Sequence, residues 1–186
     1  MKNKLIGYLD MDGVCCDFLT AAIEANDHNP VEVFSKWIPG DWNVVPYLHG
    51  DTELFWENIH FLADEFWSDL EPFEWFDKLR EFMYHHFEEW YILSSPSNHD
   101  SYVGKIKWLG YYFGPSFKNY VLTSHKHLLA KKNTVLIDDH EGNIDKFRQH
   151  GGQGIIFPSH VNSMHEYKND PMPFVEHSIN IIKECL

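Results

Sequence analysis

Asp10 and Asp12, two residues apart, close the apolar run Leu5-Ile6-Gly7-Tyr8-Leu9 and are followed at once by Gly13. Carboxylates this close repel each other unless something neutralises them. A divalent cation is the simplest neutraliser, and hard oxygen ligands suit magnesium. Taken alone, the pair could equally cap a turn ahead of a helix. Three later stretches complete it. Ser94-Ser95 follows Trp90-Tyr91-Ile92-Leu93, Ser124 and Lys126 follow Tyr120-Val121-Leu122, and Asp138-Asp139 follows Thr134-Val135-Leu136-Ile137. The set suits phosphoryl transfer, which needs a nucleophile, charge neutralisation and positioned donors for the phosphoryl oxygens. Asp10 can be the nucleophile, forming an aspartyl-phosphate. Asp12 can protonate the leaving oxygen and then activate water. Ser94 offers a hydroxyl and Lys126 a fixed positive charge. Asp138 and Asp139 can hold magnesium or orient Lys126. Each later stretch has a plainer reading by itself: a helix-capping turn, a surface lysine, a strand-to-turn pair. The order and the shared setting at strand ends favour the catalytic one.

The elements that must position these residues follow from the pattern. Residues 5–9 have the length and composition of a buried strand, and Gly13 lets the backbone turn tightly after it. Residues 16–27 read as a helix, with Phe18, Leu19, Ala22 and Ile23 at helical spacing. From 28 to 71 the texture changes to scattered aromatics, among them Trp37, Trp42, Phe55, Trp56, Phe61, Phe66 and Trp67. Turn signals stand at Asn29-Pro30 and Pro39-Gly40-Asp41. This stretch is expected to be a small, mostly helical insertion whose aromatics largely form its own core. Helices are then expected over 73–87, 99–113 and 142–150, and strands over 89–93, 120–122, 134–137 and 154–157. Asp170 is expected to cap a terminal helix with Pro171 and Pro173 in its first turn. Strands alternating with helices predict a parallel sheet with right-handed crossovers, whose carboxyl-terminal edge collects ligands.

The 186 residues suffice for one domain, or one domain with an insertion. At 44% hydrophobic the chain is globular rather than disordered. A formal net charge of -13 argues against tracking a nucleic-acid backbone and against anionic membrane surfaces. Cys15, Cys16 and Cys185 imply no disulfide framework. Met1-Lys2-Asn3-Lys4 leads into an apolar run too short for a signal peptide, and no run approaches the ~20 residues of a membrane span. A soluble, cytoplasmic protein is expected. The thirteen histidines form no motif with metal-ligand spacing, and His85-His86 and His125/His127 read as structural.

Asp10-Met11-Asp12-Gly13-Val14, Ser94 after its hydrophobic strand, Lys126 and Ile137-Asp138-Asp139 resemble the four motifs of the haloacid dehalogenase-like phosphohydrolase superfamily. Within it the chain resembles the 5′(3′)-deoxyribonucleotidases. The likeness extends to Asp17-Phe18, to Phe66-Trp67-Ser68-Asp69-Leu70-Glu71-Pro72, to Ile92-Leu93-Ser94-Ser95-Pro96 and to Lys107-Trp108 with Tyr112-Phe113-Gly114-Pro115. It implies an α/β fold: a Rossmann-like parallel sheet flanked by helices, formed by residues 1–17 and 73–186, with a helical cap over 18–72. It implies Asp10 as nucleophile and Asp12 as acid and base, with the Asp12 main-chain carbonyl also on magnesium. Ser94, Ser95 and Lys126 would bind phosphate. Asp139, ahead of Asp138, would complete the magnesium site. Phe18, Trp42 and Trp67 would line a base and sugar pocket. The implied activity is a magnesium-dependent phosphatase of (deoxy)ribonucleoside monophosphates. Its partner is a small nucleotide, not a polymer or a membrane, and a homodimer is compatible with it. The alternatives are a phosphatase of another small monoester, a phospho-accepting receiver, and a non-catalytic module.

Overall fold

Five short strands carry the site: β1 (Ile6–Leu9), β2 (Glu89–Ser94), β3 (Tyr120–Leu122), β4 (Thr134–Asp138) and β5 (Gln153–Ile156). In the computed structural model, which describes residues 4–185, they form one parallel sheet in the order β3-β2-β1-β4-β5. Residues 1–3, the start of the N-terminal run weighed above as a leader, lie outside the described residues, as do the outermost limits of the expected core. The chain winds outward from β1 through β2 to β3, then crosses to the other side of β1 for β4 and β5. β1 therefore sits at the topological switch point, where the crevice beyond the strand ends opens.

Successive side chains of a strand point to opposite faces. Tyr8, Leu93 and Leu136 pack on one face with Ile144 and Phe147 of α7 (Glu141–Gln149). Leu9, Ile92, Val135 and Ile137 belong to the larger cluster on the other face. That cluster also holds Leu79, Phe82 and Met83 of α5 (Phe76–His86), Trp108 and Leu109 of α6 (His99–Phe113), and Val175 and Ile179 of α8 (Met172–Cys185). Helices thus cover both faces, as parallel strands require. Among the described residues no helix is long and apolar enough to cross a membrane.

Between β1 and α5 the described chain is helical. It forms α1 (Phe18–Ala25), α2 (Pro30–Lys36), α3 (Thr52–Phe61), α4 (Ala63–Ser68) and a 3-10 turn over Val45–Tyr47. Trp37, Phe55, Phe66 and Trp67 are buried there, while Phe61 is 89% and Trp42 50% exposed. The insertion's aromatics are therefore mainly its own core, with exceptions at its surface.

Two helices start later than their apolar spacing predicts. α1 begins at Phe18 because Asp17 caps it, accepting the Thr20 N–H at 3.0 Å. α5 begins at Phe76, not near residue 73, because the returning chain is held elsewhere. Asp17 N–H donates to the Glu71 carbonyl at 2.9 Å and Phe73 N–H to the Cys15 carbonyl at 3.1 Å. These bonds fasten the outgoing and returning strands of the insertion together. α6 keeps its expected span; Asn98 and Ser101 cap it reciprocally, each accepting the other's backbone N–H at 2.9 Å. The cysteines are free thiols, Cys15 and Cys16 buried and Cys185 exposed.

Candidate active site

The carboxyl ends of β1, β2 and β4 deliver the acidic and hydroxyl groups to one place. Asp10 follows β1, and its N–H donates to the Ile137 carbonyl of β4 at 2.9 Å. Its carboxylate accepts the Met11 N–H at 2.8 Å. Gly13 has φ +73°, and a Cβ there would lie 2.2 Å from Asp139 Oδ2. Only glycine fits both the turn and the approach of Asp139.

Lys126 opens a short 3-10 turn (Lys126–Leu129) and is almost wholly buried. Its Nζ lies 2.7 Å from Asp10 Oδ1 and 2.7 Å from Asp138 Oδ2. Asp138 also accepts the His140 N–H at 2.9 Å and the Asn143 side-chain amide at 3.0 Å. Its oxygens are thereby occupied in orienting Lys126. The Asp139 carboxylate has no hydrogen-bond donor among the described residues. Ligand oxygens of Asp10, Asp138 and Asp139 lie within 4.8 Å of one another, and all three residues are buried. Burial, then the charge of Asp138, pushes Asp10 up to about 6 against the pull of Lys126. Burial, then Asp138 and Asp10, pushes Asp139 well above the usual carboxylate range. Burial pulls Lys126 down, yet Asp10 and Asp138 outweigh it and hold the ammonium charged. Three buried carboxylates facing one lysine leave excess negative charge, and the donors are hard oxygens. That set fits a divalent cation of the magnesium type.

Asp12 is held differently. Lys105 of α6, fully buried, places its Nζ 2.5 and 2.6 Å from the two Asp12 oxygens. The same ammonium lies 4.8 Å from the centroid of the Trp67 ring. α4 and α6 touch so closely at Gly104 that a Cβ there would lie 2.4 Å from the Asp64 carbonyl. That contact sets Trp67 and Lys105 side by side.

Asp10, Asp12, Lys126 and Asp139 line a cavity of about 520 Å³, together with Phe18, Trp42, Trp56 and Trp67 of the insertion. The Phe18 and Trp67 rings stack at 5.5 Å. Trp42 meets His140 edge-on at 4.3 Å across the cavity's mouth. The Trp67 Nε1–H is buried without a partner. Ser95 and Ser124 line the cavity, and Ser95 Oγ donates to the Thr123 carbonyl at 3.1 Å. Ser94 does not line it. Its hydroxyl is buried at the end of β2 with no partner. The structure thus brings nine of the ten candidate residues to the cavity or its carboxylate cluster and sets Ser94 just behind. Lys131 and Lys132, the next lysines along the chain, are exposed.

Lys105, His140 and Asn143 were not singled out by their sequence. Lys105 carried a signal: it shares the spacing of Ser101, Gly104, Trp108 and Leu109, the buried face of α6. A lysine on such a face needs a buried partner. His140 and Asn143 stand in the turn and first turn of helix after the acidic pair, where sequence alone gives no reason to prefer them.

The fold of this parallel sheet and its helices is shared with solved haloacid dehalogenase-like hydrolases. The chain is similar to one from Streptococcus pneumoniae, with TM-score 0.58 and 12% identity over 95% of this chain and 99% of that one. A hydrolase from Pseudomonas syringae gives 0.53 and 14% over 96% and 99%. A family hydrolase from Deinococcus radiodurans, with bound phosphate and sodium, gives 0.53 and 13% over 87% and 85%. At these identities the likeness establishes the fold. No curated protein matches the sequence. Residues 4–172 match the family described as 5′ nucleotidase, deoxy (pyrimidine), cytosolic type C, and the chain belongs to that family. It is a phosphoric monoester hydrolase.

Proposed function

We propose that this protein is a cytoplasmic, magnesium-dependent nucleotidase that dephosphorylates deoxyribonucleoside monophosphates through an aspartyl-phosphate on Asp10. The observation that carries the reading is one cavity with two unlike walls. Asp10, Asp139 and Lys126 form one, and Phe18, Trp56 and Trp67 form the other. A phosphoryl group suits the first and a flat base suits the second. Base stacking on aromatic side chains is worth about 1–3 kcal/mol. The family's description supports a nucleotide substrate and a cytosolic setting. The charge of -13 favours a small ligand over a polymer. The cap is taken as residues 18–72, fastened at the two backbone bonds between 15–17 and 71–73.

In the first step an Asp10 oxygen bonds to phosphorus as the ester P–O bond breaks, and the leaving oxygen takes a proton from the Asp12 carboxyl. In the second, water gives a proton to Asp12 and bonds to phosphorus as the P–O bond to Asp10 breaks, releasing phosphate. Lys105 orients the Asp12 side chain for both steps. Lys126, Ser95 and Ser124 face the phosphoryl oxygens, and one lodged against β2 would give the Ser94 hydroxyl its missing partner. Asp10, Asp139 and the Asp12 main-chain carbonyl would hold magnesium, which supplies charge neutralisation when bound.

The test is phosphate release from dUMP, dTMP and dGMP and from their ribose counterparts, with magnesium and with excess chelator. Magnesium-dependent release that Asp10→Asn abolishes is expected, with the deoxy substrates favoured. A ribose 2′-hydroxyl set against the ring faces of Phe18, Trp56 and Trp67 would be buried without a partner, which corresponds to about tenfold discrimination. Full activity of Asp10→Asn, or in chelator, overturns the mechanism. Ribonucleotides hydrolysed as fast as deoxyribonucleotides overturn the sugar preference.

A further inference from the structure

A second cavity, of about 600 Å³, lies on the far side of Gly13 and Leu19, which line both cavities. Its other walls come from four separate segments. These are Asp17 and Thr20 at the start of α1, Phe34 of α2, Phe73-Glu74-Trp75 ahead of α5, and Ser159, His160 and Lys168 in the loop between β5 and α8.

Two features of this cavity point to a ligand. The first is a cation held away from carboxylates. Lys168 Nζ lies 2.8 Å from His160 Nδ1, and it makes no ion pair among the described residues. An ammonium only donates, so Nδ1 accepts and the imidazole carries its proton on Nε2. That nitrogen lies 3.2 Å from the Trp37 carbonyl and donates to it. His160 is buried and neutral, its own proton affinity lowered by burial and then by Lys168. It positions the lysine without neutralising it, and further ammonium protons remain available. What sets this cation apart is its place: a buried imidazole holds it on the wall of a cavity. The two acids on the wall do not compensate it. Asp17 is engaged in capping α1, accepting from the backbone N–H and hydroxyl of Thr20, and Glu74 is exposed.

The second feature is a set of fixed rings. Phe73 and Trp75 stack at 4.4 Å. Trp75 Nε1 donates to the Val14 carbonyl at 3.0 Å, which ties the ring to the catalytic loop. Phe34 is held edge-on to His160 at 5.2 Å. We propose that this cavity is a second ligand site, and that it binds a planar organic anion: a flat ring that packs against Phe34, Phe73 and Trp75 and carries one carboxylate or phosphate for Lys168. The site uses none of the catalytic residues, and the inference does not depend on the nucleotidase reading.

Titration calorimetry on the full chain tests it. The probes are indole-3-acetate, for a ring carboxylate, and dUMP with the Asp10→Asn chain, for a ring phosphate. Whichever anion the site takes should show a binding event that Lys168→Met weakens by about tenfold, the order of one lost charge-assisted hydrogen bond. Lys168→Arg should retain it. For dUMP this event is separate from binding in the catalytic cavity, which Lys168→Met leaves unchanged. The probe that shows the event identifies the anionic group. If neither anion shows a Lys168-dependent event, or if Lys168→Arg loses binding as completely as Lys168→Met, the proposal is wrong.

Discussion

The two walls of the catalytic cavity are built on opposite principles. On the sheet side nearly every charged group is cross-linked. Lys126 bridges Asp10 and Asp138, Asp138 is further held by the His140 N–H and by Asn143, and Lys105 grips both oxygens of Asp12. On the cap side rings touch rings, and the Trp67 indole N–H buried there has no partner. Charges fixed before the substrate arrives need no reorganisation during reaction, which is where electrostatic catalysis gains most. Rings present large apolar faces, and they rank ligands by area and stacking. Under the proposed function, the chemistry is specified rigidly at the strand ends and the choice of substrate falls to the ring surface. It also predicts unequal penalties: a deleted charge should cost far more than a deleted ring contact.

After the nucleophile itself, the largest effect should come from Lys126. Lys126→Met leaves Asp10 and Asp138 facing each other with no cation between them. It should lower kcat/KM by about 10²–10³-fold at saturating magnesium, the loss typical of one preorganised stabilising group. Steady-state kinetics on Lys126→Met and Lys131→Met make the check. A crippled Lys131→Met beside a normal Lys126→Met would break the assignment, because Lys131 is exposed.

The next effect separates the two lysines by stability. Lys126 has two carboxylate partners, so Asp10→Asn still leaves it Asp138. Among the described residues Lys105 has Asp12 as its one carboxylate partner. Asp12→Asn therefore strands a buried ammonium, at a cost of about 3–5 kcal/mol. Thermal melts should show Asp10→Asn close to the parent and Asp12→Asn clearly lower. Adding Lys105→Met to Asp12→Asn should recover most of the melting temperature and none of the activity. Equal melting temperatures for the two asparagine variants would show that Lys105 is not the dependent partner the geometry makes it.

The same contrast governs what could be read from the sequence. The sheet side was legible because each group sits directly at the end of an apolar strand. Asp10, Ser94 and Asp138 are fixed by a short unbroken apolar run that ends at them, and Lys126 stands four residues past β3. The switch point then follows from strands alternating with helices. Lys105 was missed although its helix was placed correctly, because its partner Asp12 lies 93 residues away and only tertiary packing joins them. The start of α5 was misplaced for a related reason. Phe73 fits the helical apolar spacing, but its N–H is spent on the Cys15 carbonyl, a partner remote in sequence. In the cap, aromatic residues announce a core but not its geometry. Nothing local distinguishes exposed Phe61 from buried Phe66, or shows that Trp42 reaches across to His140.

The smallest effect probes the cap wall, and it calls for a gentler change than alanine. Trp67 stacks on Phe18, lies over Lys105 and packs against α6, so Trp67→Ala would loosen Lys105 and damage every substrate alike. Trp67→Phe keeps a ring for both contacts while it removes the unpartnered Nε1–H and part of the indole's volume. A buried donor without an acceptor costs about 1–3 kcal/mol, which offsets the cavity left by the smaller ring, so the melting temperature of the ligand-free protein should change little. If a base carbonyl or sugar oxygen of the substrate is the missing acceptor, the variant should lose up to about tenfold in kcat/KM for deoxyribonucleoside monophosphates. Its kcat/KM for a small generic phosphate ester, which does not reach the cap, should hold. Equal losses on both substrates would mean that Trp67 acts through Lys105 and the fold. No loss on either would mean that the indole N–H meets no ligand, and that the cap wall ranks substrates by stacking alone.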